Sequence, residues 1–324
     1  MGRGLFTVDS VDTRMLYKEF QQGVELYNDT TWGIVNRFVR PTQKESVKVW
    51  ERDMEFVLGA EGFLETWQRI HAREVALPLN DFDLGFGFTK KAIEDSTADE
   101  LRETQAAALR AHLRLLAKRF FYVVMTPGSG TTSKGFWDAL MGAAGEKAPP
   151  AYKNNTFLNT HQHYYTSGAA TPTLADLNLL KRHIREHGYV GELFLFLNSA
   201  LAEDFENLAG WSAAMTPVSI IEDIAKEGFR AVKRFQEFTI VLEDWVPDGY
   251  LVAIEAETKP ITMREPLQPA ARGLKLFEGP FSDMPLREAY YESRFDMGVV
   301  HRGAGAVVQI TTGASYTNPT FDFT

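Results

Sequence analysis

The feature that most constrains this chain is a long, well-punctuated amphipathic helix signal near residue 100. Ser96 followed three residues later by Asp99 reads as an N-cap with a carboxylate in the first turn, and Glu100 and Glu103 add negative charge where the helix dipole favours it. Leu109, Leu113, Leu116 and Phe120 then fall on one stripe, while Arg110, Arg114, Lys118 and Arg119 complement the negative C-terminal end. Running to about residue 122, such a helix is roughly 38 Å long at ~1.5 Å per residue, the length of a strut.

The segments on either side are of different kinds. Residues 1 to about 50 mix aromatics with balanced charges and carry only weak helical periodicity, as expected of an arm that lies on something else. Between about 60 and 95, Phe82, Leu84, Phe86 and Phe88 alternate with Asp83, Gly85 and Gly87, a period of two that puts four large apolar groups on one strand face. Residues 66–77 are the candidate antiparallel partner, across a turn at 78–81. Beyond the strut, residues 126–133 and 142–150 are loop-forming and bracket a short helix at 136–141, like a joint between domains.

Thr173 and Asp176 form a second capping-box pattern, with Leu177, Leu180 and Ile184 on one face and Gly188 as the stop. Residues 192–197 read as a buried strand, with helices expected at 201–208 and 218–226. Strands at 238–242 and 250–254 flank Val246-Pro-Asp-Gly249 and read as a hairpin. A second hairpin is expected over 290–312, with Phe295, Met297 and Val299 facing inward and a turn at Gly303-Ala304-Gly305. Strands and helices mix without a βαβ rhythm, and no fixed-period repeat is present, so the fold class is α+β.

Composition narrows the function. The 324 residues are 44% hydrophobic and 24% charged, enough to bury roughly three quarters of the surface in one large or two modest cores. A formal charge of -9, spread along the chain, argues against a protein whose main work is gripping phosphates. The absence of cysteine excludes a disulfide framework, a thiol nucleophile and a thiolate metal site, and a reducing cytosol is the natural folding compartment. The first residues lack the apolar run of a secretory signal and carry acids unlike a transit peptide, so no export is expected. Apolar runs such as 120–125 and 193–197 are far short of the ~18 residues needed to span a bilayer, and Asn28 and Asn154 are chance glycosylation matches.

Each chemical motif has a plainer explanation. Gly128-Ser-Gly-Thr-Thr-Ser-Lys134 lacks a glycine at the position a phosphate loop requires and reads as a hinge. His161 and His163, two apart, and His183 and His187, four apart on a helix, are the one enzyme-like constellation, on which a metal-dependent hydrolase would be built. No His-Glu-x-x-His arrangement supplies a general base, so His161 and His163 are expected to pack with Tyr164 and Tyr165, and His183 and His187 to lie on a solvated face. Glu243, Asp244 and Asp248 are assigned to turn chemistry, solvation or arginine pairing, and no Gly-x-Ser-x-Gly elbow is present. No catalytic, cofactor-binding or metal-ligating residue is expected, and no enzymatic activity.

From residue 240 the sequence becomes specific. LEDWVPDGYLVAIEAE, KPITMREP and LKLFEGPFSDMPLREAYYESRFDMGVVHRGAGAVVQI contain a Pro-Asp-Gly-Tyr turn, a Pro-Leu-Arg-Glu-Ala helix start at Pro285 and a His-Arg-Gly-Ala-Gly turn at His301, in that order. Together they resemble the C-terminal portion of major capsid proteins of tailed bacteriophages, of the Hong Kong 97 type. The resemblance implies an N-terminal arm at 1–54, an extended two-stranded loop at 55–95, a peripheral domain with its spine helix at 96–129, an axial domain at 130–262 and a peripheral return at 263–324.

It further implies self-assembly through hexamers and pentamers into an icosahedral virion shell around packaged double-stranded DNA, without specific DNA binding or a membrane. The host cytoplasm would be the site of assembly. No long helical segment precedes the arm as a built-in scaffold, so assembly is expected to use a separate scaffolding protein or none, with a portal and either noncovalent staples or a decoration protein. Lys90 and Lys91 sit too near the loop base for the covalent cross-link of the best-known member. Phe6, Tyr17, Tyr27, Trp32, Trp67, Phe82, Leu84, Phe86 and Phe88 are the expected inter-subunit contacts. An encapsulin-like nanocompartment is the alternative with the same fold.

Overall fold

Leu16, Phe20 and Val24 recur at every fourth position with Tyr17 beside them, a stripe strong enough to specify a helix although charges interrupt it. In the computed structural model, which describes residues 5–29, 34–50, 72–86, 88–127, 134–138, 148–208, 230–280 and 285–323, that stripe is the buried face of α1 (Thr13–Asp29). The period is stronger than the mixed composition suggested. A short helix, α2 (Ile34–Phe38), and strand β1 (Val39–Thr42) follow.

The two-stranded ribbon differs from its expected form. Strand β2 (Ser46–Trp50) pairs antiparallel with β3 (Ala72–Ala76), Val47 opposite Val75. The 66–77 segment therefore does not pair with residues 82–88. Strand β4 (Asn80–Gly85) instead runs antiparallel to β12 (Tyr290–Val299), with Phe82 opposite Ser293. Local closeness across 78–81 was outweighed by a long-range edge. Val75 and Leu77 bury the ribbon base against Val47 and Val300.

After α3 (Lys90–Asp95) comes the long helix, α4 (Ala98–Met125), 28 residues and about 42 Å at ~1.5 Å per residue. Its capping box sits one position later than expected: the Thr97 side chain accepts from the Glu100 N–H at 3.3 Å and the Glu100 carboxylate accepts from the Thr97 N–H at 2.8 Å. The buried stripe runs through Leu101, Ala108, His112, Leu116 and Phe120, whereas Leu113 is 41% exposed. The small Ala108 and the polar His112 hold core positions that an apolar count passes over.

Residues 134–138 are not helical, and 139–141, the rest of the expected short helix, lie outside the described residues, as do 142–147, 128–133 and 218–226. Next come β5 (Tyr164–Thr166) and α5 (Leu174–Arg185), whose Thr173–Asp176 capping box is present. Strand β6 (Leu193–Leu197) precedes a short helix, α6 (Ala202–Glu206), narrower than the expected 201–208. The remaining strands are β7 (Arg230–Phe235), β8 (Phe238–Leu242), β9 (Tyr250–Glu255), β10 (Ile261–Arg264), β11 (Leu274–Phe277) and β13 (Gly305–Gln309).

Two sheets organise these pieces. In the six-stranded sheet the order is β5-β13-β9-β6-β8-β7, and in the five-stranded one β1-β10-β12-β11 with β4 added on β12. Both expected hairpins are corrected. β6 inserts between β8 and β9, parallel to one and antiparallel to the other, while β12 and β13 go to different sheets. The Pro285 segment forms turns in place of a helix start, with Glu288 at φ 59°.

Strand alternation sorts the core. Leu193, Leu195 and Leu197 of β6 face Leu177, Leu180 and Ile184 of α5, while Phe194 and Phe196 face Phe38, Leu116, Phe120 and Phe121. A sheet covered on both faces explains the unbroken apolar run. The N-terminal half of α4 packs instead with α1, Leu274, Leu276 and Tyr291, so one helix joins both halves of the core.

Candidate functional site

The apolar side chains expected at a surface divide into three groups. Trp32 and Trp67 lie outside the described residues. Tyr17 is buried under α1, the Phe82 ring lies 4.9 Å from that of Phe295, and Phe86 packs 5.4 Å from Tyr291 and 5.7 Å from Phe88. Tyr27 shares a 2.7 Å hydrogen bond with His112. Tyr17, Tyr27, Phe82, Phe86 and Phe88, named above as inter-subunit contacts, thus have packing partners in their own chain. Alternation reveals a covered face and not whose surface covers it.

Phe6 and Leu84 remain outward, 49% and 42% exposed. An open groove of about 810 Å³ runs between α1 and β11, lined by Met15, Tyr17, Lys18, Leu276, Phe277 and Pro285. The ribbon is thinner still: among the described residues, β2 and β3 pair with each other and with no further strand. A two-stranded sheet is marginal in water by itself.

The other motifs resolve into structure. Asp244 accepts from the Ser199 hydroxyl at 2.5 Å, and Glu243, whose burial raises its pKa, accepts from the Trp245 N–H at 3.3 Å. The Glu243 bond is local to its turn, whereas the Asp244 bond ties that turn to the residues that follow β6. Lys134 pairs with Asp296, a carboxylate of zero side-chain exposure that also accepts from Arg119 at 2.9 Å and Asn80 at 3.3 Å. No described helix is long and apolar enough to cross a membrane.

The histidines depart furthest from expectation. His161 and His163 precede β5, while His183 and His187 lie in and just beyond the last turn of α5, and the fold brings all four together. The Nε2 atoms of His161, His163 and His187 stand 3.1, 3.0 and 3.0 Å apart. The solvated-face reading of His183 and His187 is corrected: His183 is 9% exposed, its ring 4.5 Å from Tyr165, and His187 stacks on Phe157 at 4.2 Å, while His163 is fully buried. Burial lowers the pKa of His161 to about 4 and, with the neighbouring imidazoles, that of His187 to about 3. Spacing along the chain signalled each pair; only the tertiary fold joins them. Neither the groove beside α1 nor the cavity of about 270 Å³ around Phe82, His112 and Tyr291 is lined by any member of this cluster.

No family model and no curated protein matches the chain. Solved structures do. A chain from Mycobacterium phage Patience superposes with a TM-score of 0.69 at 22% identity over 97% of this chain and 93% of its own. The capsid of a native GTA particle gives 0.56 at 14% identity over 87% and 91%, and the mature capsid of bacteriophage PhiM1 gives 0.52 at 10% identity over 86% and 87%. The chain therefore has a mixed helix-and-sheet fold shared with phage capsid proteins.

Proposed function

We propose that this chain is the major capsid protein of a tailed bacteriophage, assembling with copies of itself into the icosahedral shell that encloses packaged double-stranded DNA. The observation that carries the proposal is the shared fold, which runs through nearly the whole length of this chain. In this reading α4 is the spine helix of a peripheral domain, the six-stranded sheet belongs to the axial domain, and the β2–β3 ribbon is the extended loop. The ribbon would thus start at 46, earlier than the boundary at 55.

Physical chemistry favours the same reading. The unaccompanied ribbon and the exposed Phe6 and Leu84 supply apolar surface to neighbouring subunits, and the groove beside α1 a mixed charged and apolar one, in hexamers and pentamers. Trp32 and Trp67 are assigned to the same contacts. Many interfaces, each of modest size, sum to a cooperative shell. A chain of net charge -9 repels phosphate, which leaves enclosed DNA mobile. Scaffold, portal and decoration proteins are the expected partners, with assembly in the host cytoplasm. Enzymatic activity has no place in this assignment.

The test is to replace the ribbon, residues 46–76, with a short glycine-serine linker and compare sedimentation with the full chain. Residues 80–88 must stay, because β4 belongs to the subunit's own sheet. The shell reading expects fast-sedimenting closed particles from the full chain and a folded, slow-sedimenting subunit from the variant. Normal particles from the variant would refute the ribbon's role.

A further inference from the structure

We infer that His161, His163 and His187 form a site for one divalent transition-metal ion, zinc by the chemistry of the donors, which pins the end of α5 to the β5–β13 edge of the six-stranded sheet. The inference stands independently of the capsid assignment.

Geometry comes first. Tetrahedral zinc with Zn–N bonds of about 2.0–2.1 Å asks for nitrogens roughly 3.3 Å apart. The three Nε2 atoms stand at 3.0 to 3.1 Å, a few tenths short of that spacing. An ion at bonding distance from all three sits about 1 Å out of their plane, by the same bond length.

Proton bookkeeping then separates a metal site from ordinary packing. Each Nε2 of a neutral imidazole carries either a hydrogen or a lone pair in the ring plane, never both. Among three such atoms in mutual contact, at least two must be alike, so one pair always sets hydrogen against hydrogen or lone pair against lone pair. No choice of tautomers satisfies the triangle. A cation facing three lone pairs does.

The surroundings select the ligating tautomer. His163 Nδ1 lies 2.6 Å from the Gly305 carbonyl oxygen, which can only accept, so the proton sits on Nδ1 and the lone pair on Nε2 faces the triangle. The Phe157 ring stacks on His187 at 4.2 Å and 22°, fixing that ring's plane. Glu186 brings the nearest negative charge: its Oε1 is 3.5 Å from His161 Nε2 and 2.7 Å from His183 Nδ1. Those two atoms, Glu186 Oε1 and His183 Nδ1, are buried and form no aligned hydrogen bond. Three imidazoles beside one carboxylate suit zinc or cobalt and are poor ligands for magnesium or calcium. The site is structural, since His163 has no solvent exposure and the ligands come from two segments that the ion would clamp together.

The experiment uses the full chain, purified in metal-depleted buffer and then supplied with zinc, cobalt or magnesium. About one zinc per chain by mass spectrometry, a tetrahedral cobalt absorption band displaced by zinc, and no uptake of magnesium are expected. His161→Gln and His187→Gln should each weaken zinc binding more than about tenfold. His301→Gln, outside the cluster, should bind as the unaltered chain does. Folded, unaltered chain that takes up no zinc and gives no cobalt band overturns the inference, whether or not the variants fold. Full zinc retention by both cluster variants also overturns it.

Discussion

The Asp296 carboxylate, fully buried on β12, accepts a 2.9 Å hydrogen bond from Arg119 near the end of the long helix α4. Lys134 and Asn80 meet the same carboxylate, so one side chain ties together α4, β4, β12 and the segment that follows the helix. Removing one member of a buried ion pair strands the other charge. Asp296→Ala should therefore lower unfolding free energy by about 3–5 kcal/mol. Paired replacement of Arg119 by Met and Asp296 by Leu should cost less than the single change, a comparison made by denaturant unfolding of the double-mutant cycle.

His112 gives a pH dependence. It is buried between the Tyr27 hydroxyl at 2.7 Å and Ser293 Oγ at 2.9 Å, and burial lowers its pKa to about 4. The unfolded chain, with an imidazole pKa near ~6.5, takes up a proton where the folded chain does not, so stability holds above that pH and falls as pH drops from 6.5 towards 4. Between pH 7 and pH 5 the contribution of this residue should fall by about 2 kcal/mol. Since the other buried histidines act in the same direction, the readout is the difference in slope between the unaltered chain and His112→Gln.

Helix capping offers a position-specific test. Thr97→Ala should destabilise by about 1 kcal/mol, whereas Ser96→Ala should change stability by less than about 0.5 kcal/mol. Equal losses from the two changes would contradict the capping box seen here. Thermal unfolding of each variant measures it.

Gly305 tests packing. A Cβ on it would stand 2.1 Å from the Phe136 ring, while one on Gly85 would meet nothing within 4 Å. Gly305→Ala should cost about 1–3 kcal/mol or more, and Gly85→Ala should be neutral or mildly stabilising. Unfolding midpoints of the two variants should therefore move apart.

The sequence made local chemistry legible and hid long-range choice. Leu193 to Leu197 announced a doubly covered strand because each face meets its own apolar partners, and Thr173 with Asp176 announced α5 because a cap is satisfied within four residues. The hairpin readings failed because the turn at Pro247-Asp248-Gly249 looks the same whether its flanking strands pair or admit β6 between them. Phe82 and Phe86 showed their alternation but not their partners, Phe295 and Tyr291, which lie more than two hundred residues away. The four-histidine cluster was split into two pairs by the nineteen residues between His163 and His183. The fold shared with phage capsid proteins was anticipated by the resemblance drawn from residues after 240, although the segment at Pro285 folds as turns.

The most direct test of the account is electron microscopy of the purified full chain, alone and with a scaffolding protein from the same source. Uniform closed polyhedral particles, built from hexameric and pentameric clusters, are the expected result. A folded chain that remains monomeric or forms only small discrete oligomers under both conditions would contradict it.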